Sequence, residues 1–547
     1  MQIAHKKPAQ LEKKQRLSRS WLWKLQRNYF DSQGLAAWST GTVPHHITSS
    51  AFIADAYAKV VFGFLRDCHV GTRRDNVSAF APLDPKAPVY IVELGSGSGR
   101  FSYLFLRKFR AYQRDSVLKS IPVKYVMTDF TAQNIEFWRK HSSFQPFIEE
   151  GLLDFARFEV EHDQKLKLIH SGQVLSAKSM RNPLVVIGNY VFDSIPQDAF
   201  FVADGRLFET LLTLSTPQRE SDPGDPEILS RVEISYDHNP VNKHYYSDPK
   251  WNRLLLDYKQ RLSNTGFLFP TAALQCIRNL SRLSNGRLLL LSADRGYTSD
   301  EALKAGQGEP TIATHGSISM MVDYQIIGEY CRHLGGQVLH PTHAAESLSV
   351  SALMFGDSPN EFVETRQAYF EAIEKFGPDD FFTLKEGIAQ IYDALSLDQL
   401  LAFLRLSCWD YKRFGECLPV LKKHLPNMSD IQKHELREGI LQIWDSFLPI
   451  GEENDLAFEI GTLLVELGFL VDALEFLQRS VDLYGPAAGT VYNMAVCYYS
   501  LGQMEEAQAY VGQALQMDHE FKEAKVLSAE LTSELESVSV KRRRRRA

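Results

Sequence analysis

The run VYIVELGSGSGR, residues 89–100, constrains the fold of this chain more than any other. An apolar stretch suited to a buried strand meets Gly95, Gly97 and Gly99, and an amphipathic helical pattern begins directly after them. Glycines at alternate positions remove side chains, so backbone N–H groups and a helix N-terminus can approach a ligand closely. A dinucleotide fingerprint needs a further glycine three residues after Gly97. That position is Arg100, and NAD is disfavoured. The bland alternative, a tight strand-to-helix turn with no ligand, loses ground to YVMTDF. There an apolar strand ends at Asp129, where a carboxylate can accept the ribose hydroxyls of an adenosine.

Organisation changes twice along the chain. Residues 1–80 read as helical, because SSAFIADAYAKVVFGFLRDC carries apolar residues at helical spacing after a serine cap. From 81 to 357, β-branched runs alternate with amphipathic segments, which predicts an α/β domain with a parallel sheet and crossover helices. Within it, AFFVADGRLFETLLTL reads as a β-hairpin insertion turning at Asp204-Gly205. The Pro-rich TPQRESDPGDPE after it is expected to be a disordered loop. Strands stop at SALMFG, so 358–385 reads as a linker, and a chain ending near Asp357 is expected to fold.

The remainder is all-α and repeats. Gly468 superposes on Gly502, Ala473 on Ala507 and Ser480 on Ala514, each offset by 34 residues. That is the tetratricopeptide period, and small residues recur where the paired helices cross. Residues 386–535 are therefore expected to form a small solenoid that binds a protein substrate or partner. Packing or homo-oligomer formation is the alternative use. The tail 536–547, with KRRRRR, reads as a disordered basic end.

A formal net charge of −7 over 547 residues gives no overall pull toward nucleic acid. No apolar stretch reaches the roughly 18 to 20 residues that span a bilayer, so no membrane partner is expected. Six scattered cysteines form no CxxC pair, which argues against a metal site or disulfide frame and for a reducing compartment. The first thirty residues are basic but lack the apolar core of a secretory signal. A cytoplasmic location is expected, with mitochondrial import the alternative.

The E-x-G-x-G-x-G spacing is that of the first motif of class I methyltransferases. In four ordered pieces the chain resembles the MidA-like class I methyltransferases, a family that includes an arginine-methylating factor of mitochondrial complex I assembly. GLAAWSTGTVPHHITSS resembles the family's N-terminal loop, and IVELGSGSG its glycine motif. GNYVFDSIP is similar to ANEFFDALP, and HGSISMMVDY to DITAHVDF. The resemblance covers roughly residues 30–355 and implies a Rossmann-like class I methyltransferase sheet with S-adenosyl-L-methionine as cofactor. It implies that Glu93, Gly95, Gly97, Gly99 and Asp129 hold the cofactor. Ile47 and Thr48 would belong to a loop closing over it, and Asn189, Phe192, Asp193 and Pro196 to the strand end facing the methyl group.

The departures concern acids. Tyr190 stands where the family has glutamate, and Ser49-Ser50-Ala51 where it has APE, so two carboxylates that could orient a guanidinium are missing. Asp294, in LLLLSADRGY, reads as an acid displaced from the family's position. Asp193 is the surviving catalytic candidate, with Asn189 beside it, and an ordinary helix cap is its bland reading. His315 and Asp323 are weaker candidates with structural alternatives. The expected function is methylation of a protein substrate, with arginine as the candidate residue. The alternatives are a nucleic acid methyltransferase guided by the basic tail and a non-catalytic cofactor-binding scaffold.

Overall fold

The computed structural model describes residues 9–43, 45–70, 82–241, 244–305, 308–356 and 362–546. The chain divides into two compact units, Met1–Gln390 and Ile391–Ala547.

The first unit is built on a seven-stranded sheet. Its strands are Val89–Leu94 (β1), Val123–Asp129 (β2), Leu153–Arg157 (β3), Leu184–Asn189 (β4), Leu288–Asp294 (β5), Gln337–Leu339 (β6) and Ser349–Phe355 (β7). Strands β1, β5 and β7 are buried along their whole length, as continuous apolar runs must be when helices cover both faces of a sheet. The order is β3-β2-β1-β4-β5-β7-β6, with β7 antiparallel to both its neighbours and β1 to β5 parallel. Strand order reverses between β1 and β4. A crevice for a ligand is expected beyond the carboxyl ends of strands at such a point.

Helices used below are Leu22–Gln33 (α1), Ala51–Val70 (α2), Arg100–Arg114 (α3), Ala132–Lys140 (α4), Tyr324–His333 (α5), Val363–Tyr369 (α6) and Pro378–Ala389 (α7). The stretch His46–His69, including most of α2, is long and apolar enough to cross a membrane, contrary to the sequence expectation, but 89 % of its apolar window is buried inside this unit. It is a core helix.

The hairpin forms as expected, with Asp198–Ala203 pairing antiparallel to Arg206–Thr216 around Asp204 and Gly205, both at positive φ. It grows into a five-stranded sheet, one strand of which corrects the helical reading of residues 1–80. Ala9–Arg16 is a strand paired to Arg206–Thr216. TPQRESDPGDPE is likewise held. Trp21 and Asn28 donate to the carbonyls of Pro223 and Gly224 (2.8 and 2.7 Å), and Arg231 pairs with Glu220 at 2.6 Å.

The expected linker 358–385 is also corrected. Its described part is α6, a short π-helical turn (Phe370–Glu374) and α7, all within the first unit. The buried Asp67 carboxylate of α2 accepts from the backbone N–H of Glu364 and Thr365 and from the Thr365 hydroxyl (3.0, 2.8 and 2.7 Å). Phe381 stacks on Phe52, with centroids 4.7 Å apart. Asp357 lies outside the described residues.

The second unit is helical: Leu397–Leu406 (α8), Tyr411–His424 (α9), Asp430–Ser446 (α10), Leu456–Leu467 (α11), Leu470–Tyr484 (α12), Ala488–Ser500 (α13), Met504–Met517 (α14) and Lys522–Arg546 (α15). Pairs α11/α12 and α13/α14 repeat the same construction. Gly468 and Gly502, at φ of +87° and +77°, end the first helix of each pair. Ala473 and Ala507 are fully buried, as are Ser480 and Ala514 to within 1 %. The tail expected to be disordered continues α15 as helix through Arg546; its side chains lie outside the described residues.

Candidate functional site

The three glycines sit as the spacing demands. Gly95, Gly97 and Gly99 have φ of +59°, +51° and +79°, a region costly for residues with a Cβ. The turn is buried except at Gly95, which is exposed. Two tryptophans hold it. The indole N–H of buried Trp138, on α4, donates to the Gly97 carbonyl at 3.1 Å. From the other side comes Trp38, in a helical turn after α1, whose ring would lie 2.9 Å from a Cβ on Gly97. The sequence argument reserved that space for a ligand. The chain fills it with its own indole.

Glu93 stands behind the turn. Its carboxylate accepts from the Ser102 hydroxyl on α3 and from the Tyr125 hydroxyl on β2 (the latter at 2.8 Å), which ties β1 to the elements on either side. Burial raises its pKa to about 7. With these partners Glu93 is a positioning residue for the turn.

Asp129, at the end of β2, is buried and accepts from the Thr131 N–H and hydroxyl and from the Asn134 amide (2.9, 3.0 and 3.1 Å). Burial raises its pKa, against those hydrogen bonds and one from the Gly97 backbone. The acid and the glycine turn therefore meet, as expected. Asn134 Oδ1 is buried without a hydrogen-bond partner, an acceptor that a ligand hydroxyl could satisfy. Phe130 follows. Its ring meets Phe30 edge-on at 6.2 Å, and Phe30 stacks on Trp38 at 5.7 Å.

Across the switch point, β4 ends at Asn189, whose Oδ1 accepts from the buried Tyr57 hydroxyl of α2 at 2.9 Å. Its amide nitrogen is buried without a partner. Tyr190 follows at φ +52°, an unfavourable conformation for an aromatic residue and one that concentrates at functional sites. It aims the chain into a 3-10 turn, Phe192–Ser194, that carries Asp193.

Asp193 is paired. On the neighbouring strand β5, Asp294 ends fully buried, and its carboxylate interacts with that of Asp193 and accepts the Asp193 N–H at 3.4 Å. Asp193 also accepts from the Ser194 hydroxyl at 2.5 Å, and Asp294 from the Tyr324 hydroxyl at 2.9 Å. Burial raises Asp193 to about 6. Burial and then the Asp193 charge hold Asp294 well above the usual carboxylate range. Burial and the interaction between them favour one proton held by the pair. The two acids replaced by Tyr190 and by Ser49-Ser50-Ala51 remain missing, and Asp294 supplies a second carboxyl beside Asp193 at the strand edge.

Asp323 caps α5 with Oδ1, which accepts the Ile326 N–H and the Tyr258 hydroxyl, both at 2.9 Å, while its Oδ2 is buried without a hydrogen-bond partner. His315 ends a small hairpin, with its pKa lowered by burial and by Arg295. Thr48 commits its hydroxyl to the His45 carbonyl at 2.9 Å. Sequence reasoning missed Tyr57, Tyr324 and Trp38. All three lay in stretches already singled out, Trp38 in GLAAWSTG, Tyr57 in SSAFIADAYAKVVFGFLRDC and Tyr324 at the end of HGSISMMVDY, but none carried a signal of its role.

Residues 77–324 match the model of the family described as "Putative S-adenosyl-L-methionine-dependent methyltransferase". Among solved structures, a Burkholderia thailandensis protein bound to S-adenosyl-homocysteine is similar at 13 % identity and a TM-score of 0.40, over 65 % of this chain and 90 % of that one. A thermophilic TPR protein of Thermus thermophilus is similar at 16 % identity and a TM-score of 0.21, over 31 % of this chain and 89 % of that one. No curated protein matches. The family match supports an S-adenosyl-L-methionine-dependent methyltransferase, and S-adenosyl-L-methionine is the cofactor.

Proposed function

We propose that the first unit methylates a nitrogen of a protein substrate, with arginine as the candidate residue, and that the helical unit engages the protein partner. The observation that carries this is the buried Asp193–Asp294 pair at the carboxyl ends of β4 and β5. A cationic acceptor is attracted to a carboxylate, and the same carboxylate can take up the proton released as the nitrogen is alkylated.

The residues present fit the cofactor: an exposed glycine at a positive-φ turn, an acid at the end of β2, and the unpartnered Asn134 oxygen and Asn189 amide. Glu93 and Trp138 fix the turn. Asp129 and Asn134 would accept or share the ribose hydroxyls. When bound, the cofactor supplies an electrophilic methyl group for in-line displacement by the acceptor nitrogen. Asn189, held by Tyr57, and Asp193, held by Ser194, orient that acceptor. The protein contributes alignment and exclusion of water rather than a covalent intermediate.

The helical unit supports partner binding through its repeated pairs, which leave a stacked surface. The test is labelled-methyl transfer from S-adenosylmethionine into a host lysate. Label in protein, released as methylarginine on hydrolysis, supports the proposal. Label in RNA replaces it with the nucleic acid reading, and no label with the scaffold reading.

A further inference from the structure

The ladder Trp38–Phe30–Phe130 runs from one end of the expected cofactor site to the other. Trp38 lies against Gly97, where the methionine end approaches the backbone, and Phe130 adjoins Asp129, the ribose acceptor. The ladder is braced from behind. The Arg27 guanidinium lies 4.8 Å over the Phe130 ring and is fixed by a two-pronged pair with Glu159, one contact at 2.9 Å. α1 is anchored by Gln26, whose amide donates to the Ile318 carbonyl at 2.8 Å. Trp38 itself is half-buried, with part of its ring against the Gly97 turn, Phe30 stacked on it, and the rest of its surface open. Such a ring next to the exposed Gly95 offers a π surface to a ligand with two cationic centres, a sulfonium and an ammonium.

Resting on the cofactor assignment above, we infer that Trp38 is a cofactor-binding residue. With Phe30 and Phe130 it forms an aromatic wall along S-adenosylmethionine, two of its rings supplied by the N-terminal segment and the third by the residue that follows β2. This explains the approach at Gly97: a side chain there would displace the wall before it met any ligand.

The experiment uses the full chain labelled with 5-fluorotryptophan and titrated with S-adenosylhomocysteine. The 19F resonance of Trp38 is assigned by its loss in Trp38→Phe. We expect that resonance to shift on saturation while that of Trp444, in the helical unit, does not. In calorimetry, Trp38→Leu is expected to weaken S-adenosylhomocysteine about tenfold and Trp38→Phe by about threefold or less, because a smaller ring retains part of the wall. S-adenosylmethionine, with its extra positive charge, should lose more than S-adenosylhomocysteine in Trp38→Leu. Melting without ligand identifies any loss of fold in that variant, in which case the resonance shift and Trp38→Phe decide. Wild-type binding with an unmoved Trp38 resonance and undiminished affinity in Trp38→Leu would overturn the inference alone. Failure of the wild type to bind either ligand would overturn the cofactor assignment together with it.

Discussion

The Tyr57 hydroxyl donates to Asn189 Oδ1 across 2.9 Å, linking the long core helix α2 to the carboxyl end of β4, where the acceptor is proposed to bind. The bond fixes which side of the Asn189 amide turns outward, leaving its N–H group for a ligand. Tyr57→Phe should therefore lower methyl transfer by about tenfold while reducing stability by only about 1 kcal/mol, the usual net value of one hydrogen bond. Rates at saturating cofactor, set beside urea melts, check this. A melt shifted as strongly as the rate would make the tyrosine structural.

The two acids of the carboxyl pair are not equivalent. Asp193→Asn removes the negative charge and should depress transfer by about a hundredfold or more, the range of positioned acid–base groups. Asp294→Asn keeps a neutral hydrogen-bond donor in place and should cost about tenfold or less. Equal losses would contradict this division of roles.

Burial that outweighs every favourable partner gives an unusual pH dependence of stability. Glu93 and Asp193 rise to about 7 and about 6 in the folded state, against roughly 4 when unfolded. A raised folded pKa means stability is full below the unfolded value and is lost as pH climbs through the folded one. Unfolding free energy should therefore fall between about pH 4 and pH 7 from these two groups. Glu93→Gln should flatten that fall, as urea denaturation at pH 5 and pH 8 can measure.

Gly97→Ala combines a Cβ 2.9 Å from the Trp38 ring with a φ of +51°. It should lower the melting temperature and abolish S-adenosylhomocysteine binding at concentrations that saturate the wild type, since the strain is roughly 1 to 2 kcal/mol before any clash. Trp38→Ala on that background should restore part of the stability but not the affinity. Unchanged binding in Gly97→Ala would move the ligand away from this turn.

Chains ended after Gly356 and after Gln390 should behave differently. The shorter one loses the three donors to Asp67 and the aromatic cover of Phe52, leaving a buried carboxylate unsatisfied. It should aggregate or melt several degrees lower, whereas the longer one should melt like the isolated first unit of the full chain. Matched calorimetric scans decide.

What could be read from sequence was what local chemistry dictates. Three glycines demanded left-handed backbone, Asp204-Gly205 demanded a hairpin, and Ala473 and Ala507 marked helix crossings. The errors were contacts between distant parts. AQLEKKQR shows little of the apolar alternation of a strand, because it is an edge whose pairing is supplied by Arg206–Thr216. The aromatic run FVETRQAYFEAIEKFGPDDFF read as a linker because its partner surface, α2, lies some 300 residues earlier in the chain. That Asp294 would meet Asp193 could not be read either, since nothing local shows that β5 lies beside β4.

The N-terminal strand Ala9–Arg16 also bears on how the protein is made. Lys14 donates its N–H to Thr213, 199 positions further on, so the strand leaves the ribosome long before its partner exists. At cellular synthesis rates the wait is on the order of ten seconds or more. A bare strand edge exposed that long invites pairing with other nascent chains. Lys13 and Lys14, whose charge conceals the strand from pattern recognition, would also keep it solvated and apart until Arg206–Thr216 emerges. The wall of the cofactor site, synthesised first, is then fastened in place late.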